Sequence, residues 1–239
     1  MTSEQSPSPI TERYNDRTYL EINSQWHSED SLWKAAQIQR ILHKANVQPT
    51  TIADVGCGAG EILVNLAKAW PAARLDGYEL SQDAYAICKP KESGNLRFHL
   101  ADLAEAGQTY DLALCIDVFE HVENYLEFLR RLRGVATWKV FHIPLEMHVN
   151  ALFLGGFLRA RSMVGHLHYF SSETALATLR DAGYEIVAHE FTAAFASDGQ
   201  MARGGAAALM RLPRRLLFSL SPDFLSKTLG GCSLLVLAS

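Results

Sequence analysis

Asp54-Val55-Gly56-Cys57-Gly58-Ala59-Gly60-Glu61 follows the short apolar run Thr51-Ile52-Ala53. After it, Ile62, Leu63, Leu66, Ala67 and Trp70 recur at helical spacing over Glu61–Trp70. A buried strand, a glycine turn and a helix are therefore expected in direct succession. Glycines at such a turn let the backbone bend sharply and approach a ligand closely. The helix N-terminus behind them favours a negative group.

The spacing is G-x-G-x-G, whereas the dinucleotide fingerprint needs G-x-G-x-x-G. Position 61 is Glu, so the third dinucleotide glycine is missing. Asp54 stands directly ahead of the turn. A carboxylate there would repel a pyrophosphate but suits a ligand with an ammonium group. Glu79 lies roughly 20 residues after the loop, at the end of the next expected strand, where ribose hydroxyls are gripped. A ribonucleoside with an amino-acid tail fits both acids, and S-adenosylmethionine is such a ligand. The plainer reading is a glycine-rich tight turn with no ligand.

Outward from the loop the pattern alternates. Strands are expected at Arg74–Glu79, Leu96–Leu100, Tyr110–Ile116, Thr137–Ile143, Tyr184–Thr192 and Cys232–Ala238. Helices are expected at Gln82–Cys88, Glu123–Leu132 and Ser172–Ala182. Another helix begins at Asp30-Ser31, one of which supplies its cap, and ends before Pro49. Alternating strands and helices imply an α/β, Rossmann-like, doubly wound sheet. Residues 1–12 read as a loose polar tail, residues 1–48 as an N-terminal helical cap, and residues 49–239 as the ligand-binding domain. Two long connections, about 144–170 and 193–231, break the alternation and are expected to hold helices capping the sheet's active edge.

The chain has 239 residues, 48% hydrophobic and 20% charged, enough for one core without staples. Its 22 Lys+Arg and 26 Asp+Glu give a net charge of −4, which argues against a nucleic-acid partner. Cys57, Cys88, Cys115 and Cys232 form no CxxC pair. With no apolar signal core at the N-terminus and no long apolar run, a cytosolic location is expected.

The sequence resembles the class I S-adenosylmethionine-dependent methyltransferases. The matching stretches are Ile52 to Gly60, Gly77-Tyr78-Glu79-Leu80-Ser81, Ala101-Asp102-Leu103 and Tyr110 to Asp117. The resemblance implies a seven-stranded sheet whose last strand is antiparallel. It implies that Gly56, Gly58 and Gly60 pass under the methionine moiety with Asp54 near its ammonium group. Glu79 would bind the ribose hydroxyls and Leu80 would lie against the adenine. Asp102 would accept from the adenine amino group, with Leu103 offering a backbone donor. Asp117 and Val118 would line the methionine side. Asp117-Val118-Phe119-Glu120-His121-Val122 is similar, more narrowly, to the Glu-x-x-Glu-His stretch of ubiquinone-biosynthesis O-methyltransferases, where acids and His are linked to a metal. The plainer reading is that Glu120 and His121 open a helix. His166 and His168, on a strand, would point the same way and could chelate, but no third ligand stands at a convincing spacing, so no metal is assigned.

The expected reaction is in-line methyl transfer to a small-molecule acceptor at oxygen or nitrogen, aided by alignment and, for a protonated acceptor, by a base. His121, then His142, is the expected base, since His121 follows the fourth strand and His142 stands at the end of the fifth, at the active edge. The alternatives are a non-catalytic S-adenosylmethionine-binding protein for regulation or assembly, and a nicotinamide enzyme, which the missing glycine disfavours. Tyr14, Tyr19, Trp26, His27 and Trp33 suggest either a lid or a hydrophobic latch. Residues 204–231, apolar with Arg211, Arg214 and Arg215, read as a helical substrate cap, or alternatively as a helix on an anionic membrane surface. Pro213 disfavours one long helix there.

Overall fold

Ile52, Ala53, Asp54 and Val55 are all buried, on both faces of the chain, as a central parallel strand requires. They belong to β1 (Thr51–Val55). In the computed structural model, which describes residues 30–193, 195 and 211–239, six more strands join it. These are β2 (Arg74–Glu79), β3 (Leu96–Leu100), β4 (Tyr110–Ile116), β5 (Ala136–Pro144), β6 (Ile186–Thr192) and β7 (Ser233–Ala238). The order is β3-β2-β1-β4-β5-β7-β6. β1 to β5 pair in parallel, and β7 runs antiparallel to both β5 and β6. This is the expected doubly wound sheet with its last strand reversed. Strand order changes direction between β1 and β4, the switch point at which such sheets bind ligands beyond their carboxyl ends.

Side chains alternate across each strand. Ile52, Leu75, Leu112, Leu114 and Val140 face one layer, made by α1 (Ser31–Lys44) and α2 (Glu61–Ala69). Ala35, Ile38, Ile41 and Leu42 of α1 are buried there, at the spacing of one helix face. Arg40 and Lys44, on its outer side, reach Glu190 of β6 at 2.7 and 2.6 Å. Ala53, Cys115, Phe141, Ile143 and Val236 face the other layer, with α4 (Tyr125–Leu132) and α7 (Ser172–Asp181). The short α3 (Gln82–Cys88) follows β2 and is capped by Ser81, which accepts from Ala84.

Ser171 caps α7 and completes a capping box with Thr174. At α1 the expectation fails. Asp30 makes no capping hydrogen bond, because its backbone is already in the helical region (φ −93°, ψ −3°). α4 begins two residues later than expected, at Tyr125, because Glu123 and Asn124 form a turn after the 3-10 segment Phe119–His121.

Both long connections hold helices. α5 (Val149–Phe153) and α6 (Gly156–Met163) follow β5, and α8 (Arg211–Leu220) and α9 (Pro222–Thr228) precede β7. Tyr14, Tyr19, Trp26, His27 and residues 204–210 lie outside the described residues.

Candidate active site

The glycine loop is tied to the end of the neighbouring strand. The amides of Gly56 and Cys57 both donate to the Tyr78 carbonyl of β2, at 2.8 and 3.1 Å. Gly60 has φ +79°, and a Cβ there would lie 2.5 Å from the Phe98 ring, so no other residue fits without displacing the core. Gly56 and Gly58 also have positive φ. A Cβ at Gly56 would lie 3.0 Å from the Val118 side chain.

Two carboxyls stand at this edge. Glu79 is buried, and one of its oxygens accepts from the Gly58 amide at 2.9 Å. The other accepts from the Leu80 and Ser81 amides at 2.9 and 2.8 Å. Burial pushes the Glu79 carboxyl up, and these three amides partly offset it. Asp54 is 2% exposed. Burial, and after it the Glu79 carboxylate, pushes Asp54 up to about 8, against the opposing pull of Lys34. Two buried acids side by side resist ionising together, and a nearby cation would favour their charged forms.

Leu80 is two-thirds exposed, an open apolar surface next to Glu79. Asp102 accepts from the Ala104 amide at 2.8 Å and meets Arg131 at 3.1 Å, while Leu103 is buried. The residues expected to hold the cofactor lie at or just beyond the carboxyl ends of β1, β2, β3 and β4.

Asp117, directly after β4, has φ +57°, uncommon outside glycine and found most often in Asn, Asp and His. Its amide donates to the His142 carbonyl of β5 at 3.0 Å. Its carboxylate meets His142 Nδ1 at 2.6 Å and Lys34 Nζ at 2.8 Å. Burial alone would raise this carboxyl, but His142 and Lys34 hold it well below the usual range. The Lys34 ammonium is raised in turn, because Asp117 outweighs the effect of its burial. His142 Nε2 lies 3.0 Å from Thr192 Oγ1, so both ring nitrogens are engaged. Trp33 stands edge-on to the His142 ring, centroids 6.2 Å apart.

The turn after β4 carries the second half of the site. The Glu120 carbonyl accepts from the Leu167 and His168 amides, at 2.8 and 3.1 Å. This clamp folds the connection after β5 back over the turn. It brings the His166 ring to 4.7 Å from that of His121, centroid to centroid. His166 Nδ1 is held by Glu146 at 2.7 Å. Donor atoms of Glu120, His121 and His166 all lie within 4.8 Å of one another. Glu120 is fully buried, and neither carboxylate oxygen has a hydrogen-bond partner. Burial, followed by the Asp117 charge, pushes its carboxyl well up. An orphaned buried carboxylate facing two imidazoles is a donor set suited to a divalent cation. Glu146 on His166 supplies the outer carboxylate that such ligands usually have.

This arrangement corrects one expectation and extends another. Residues 165–170 form no strand, and His168 instead meets the Val122 carbonyl at 3.0 Å, so His166 and His168 are not a chelating pair. For His166 the fold instead supplies Glu120 and His121 as neighbours, three candidate donors that sequence spacing did not bring together. Lys34 and Thr192 also carried no signal, since each reads as an ordinary helix-face or strand residue. A cavity of about 330 Å³ adjoins this half of the site, lined in part by Glu146, His148, Asn150, Leu154, Arg159 and Arg214.

A family model described as a methyltransferase domain matches residues 24–189. The ubiquinone biosynthesis O-methyltransferase of Rickettsia bellii (strain OSU 85-389) is 33% identical over 128 residues, 52% of this chain and 53% of that protein. The chain thus spans about half the length of the curated relatives it matches. Among solved structures, the magnesium protoporphyrin IX methyltransferase of Synechocystis PCC 6803 with bound SAH superposes with a TM-score of 0.56 at 16% identity, covering 99% of this chain and 89% of that one. The N-methyltransferase NodS of Bradyrhizobium japonicum WM9, in complex with S-adenosyl-L-homocysteine, gives 0.58 at 15% identity, covering 93% and 98%. These two likenesses are likenesses of fold. With the family model matching well over half of the chain, and with the sheet order and glycine loop described above, the chain belongs to the methyltransferase-domain family, on the class I S-adenosylmethionine-dependent scaffold.

Proposed function

We propose that the chain transfers a methyl group from S-adenosylmethionine to a hydroxyl or amine of a small-molecule acceptor. The observation that carries this reading is the junction of the Gly58 amide with the Glu79 carboxylate, beside buried Asp54. In this reading the loop Gly56, Gly58 and Gly60 passes under the methionine moiety. Asp54 receives its ammonium group and Glu79 the ribose hydroxyls. Leu80 lies against the adenine, with Asp102 and Leu103 at its polar edge. Asp117 and Val118 line the methionine side.

Methyl transfer then needs alignment more than covalent help. The acceptor atom attacks the methyl carbon opposite the sulphur, the carbon–sulphur bond breaks, and the sulphonium becomes a neutral thioether. The acceptor's proton must leave. His121, half-buried in the turn after β4, takes that proton in our reading. His142, with both nitrogens engaged, positions Asp117 instead. Glu120, His121 and His166 would hold a divalent cation, which when bound would lower the pKa of an acceptor hydroxyl. His121 then acts as a ligand, not as the base.

The test uses the purified chain, S-adenosylmethionine labelled in its methyl group, and an extract of the native organism split into polar, lipid and protein fractions. Label is expected in a small-molecule fraction, lost with Glu79→Ala and reduced at least tenfold with His121→Ala. Loss of transfer with a chelator, restored by magnesium, assigns His121 to the donor set, and chelator-resistant transfer assigns it as base. Bound cofactor with no transfer to any fraction would overturn catalysis in favour of a binding role.

A further inference from the structure

Of the fifteen large hydrophobic side chains exposed among the described residues, eleven lie in two short stretches, 147–163 and 212–224. These are the caps built by α5, α6, α8 and α9. Phe153 is 79% exposed, Leu158 76% and Leu220 81%. On α8 the exposed Leu212, Leu216 and Leu220 recur every four residues and form one stripe. The opposite side of that helix is already used: Leu217 and Phe218 pack on the core, and Phe218 meets Phe195 edge-on at 6.0 Å. The exposed stripe is therefore not needed for folding. α9 packs against α5, and Arg214 shares a cavity wall with Arg159 of α6, so the two caps form one surface.

The charge on this surface is one-sided. α5, α6 and α8 hold five arginines and no Asp or Glu, and the Asp223 of α9 is paired with Lys227, in a chain whose net charge is −4. Arg159, Arg161 and Arg215 are exposed among the apolar side chains. A second copy docked through this face would set arginines against arginines, which disfavours self-association. Short helices with exposed leucine and phenylalanine, flanked by arginine and free of acids, suit the boundary of an anionic bilayer. There the apolar side chains enter the acyl region and guanidinium groups pair with phosphates.

We propose that this cap is a docking surface for an anionic phospholipid membrane, held by α5, α6 and α8. The cavity beside the active site opens on the same face, since Leu154 and Met163 both line it and are exposed there. A membrane-held amphiphilic acceptor would thus meet the cavity directly, a corollary that rests on the methyl-transfer reading, whereas lipid docking does not.

Co-sedimentation of the full chain with vesicles tests it, without cofactor or acceptor. Vesicles of equal phosphatidylglycerol and phosphatidylcholine should pellet the protein at 50 mM salt, and pure phosphatidylcholine vesicles should pellet it at least fivefold less. Leu152→Ser/Phe153→Ser/Leu158→Ser should lower partitioning at least tenfold. Arg161→Gln/Arg215→Gln should lower it severalfold and flatten its salt dependence. Both variants should keep the wild-type melting temperature within about 2 °C, since the side chains are exposed. Failure of the wild type to pellet with anionic vesicles would overturn the proposal. So would equal pelleting of the apolar variant, or concentration-dependent dimers lost in that variant without any vesicle binding.

Discussion

Asp54 is an acid held proton-bearing by its surroundings until something cationic arrives. Its folded value, about 8, lies above the ordinary carboxylate range of an unfolded chain. The folded protein therefore keeps a proton the unfolded chain has lost, and stability of the ligand-free protein falls as pH rises between about 4 and 8. Asp54→Asn should remove that fall, so thermal melts of the variant should be flatter in pH and higher at pH 8. For binding the sign reverses. An ammonium group favours ionised Asp54, so cofactor affinity should rise with pH from 6 to 8, by up to about tenfold per unit for one proton released. Calorimetry in buffers of different ionisation enthalpy reads that proton, and Asp54→Asn should lose it. His142 answers a different need. It hydrogen-bonds the half-buried Asp117, which Lys34 also meets, and removing it leaves that carboxylate one partner short. His142→Ala should cost about 1–3 kcal/mol in denaturant unfolding. An unchanged midpoint would mean that Lys34 alone satisfies Asp117.

At the scale of elements, the glycine loop works because its backbone is left-handed where the core is tightest. Gly60→Ala would force an L side chain into φ +79° and against Phe98 at once. We expect a loss of about 2–4 kcal/mol, combining backbone strain with overpacking. A melting temperature within 2 °C of wild type would show that the loop can shift. This element was legible in the sequence, because glycine spacing and the acids on either side of it are local facts. The strands were equally legible, since Ile52–Val55 and Leu112–Ile116 are buried on both faces and read as apolar runs. His166 was not. Its place depends on a long connection turned back by two amides on the Glu120 carbonyl, a backbone contact across 47 residues that no local pattern encodes. Asp30 misled for the opposite reason, since its residue type suits a cap but its backbone is already helical.

For the whole molecule, the sheet gathers acids at its carboxyl edge while α5, α6 and α8 above it carry arginine without acid. Asp54, Glu79, Asp117 and Glu120 all lie at that edge. Lys34, delivered by α1 from the layer beneath, is the ammonium that meets Asp117. Its role depends on how α1 lies on the sheet, which explains why periodicity showed α1 but not Lys34. The acid-lined edge facing a cationic, sulphonium-bearing nucleoside is the centre of the functional reading, and one titration addresses it. Equilibrium dialysis of labelled S-adenosylmethionine against the full chain should give saturable binding at one site per chain. Glu79→Ala, which on the proposed reading removes two charge-assisted hydroxyl contacts, should weaken it at least thirtyfold, and NAD should not compete. Absence of saturable binding, equal affinity in Glu79→Ala, or displacement by NAD would contradict the assignment of this edge to S-adenosylmethionine.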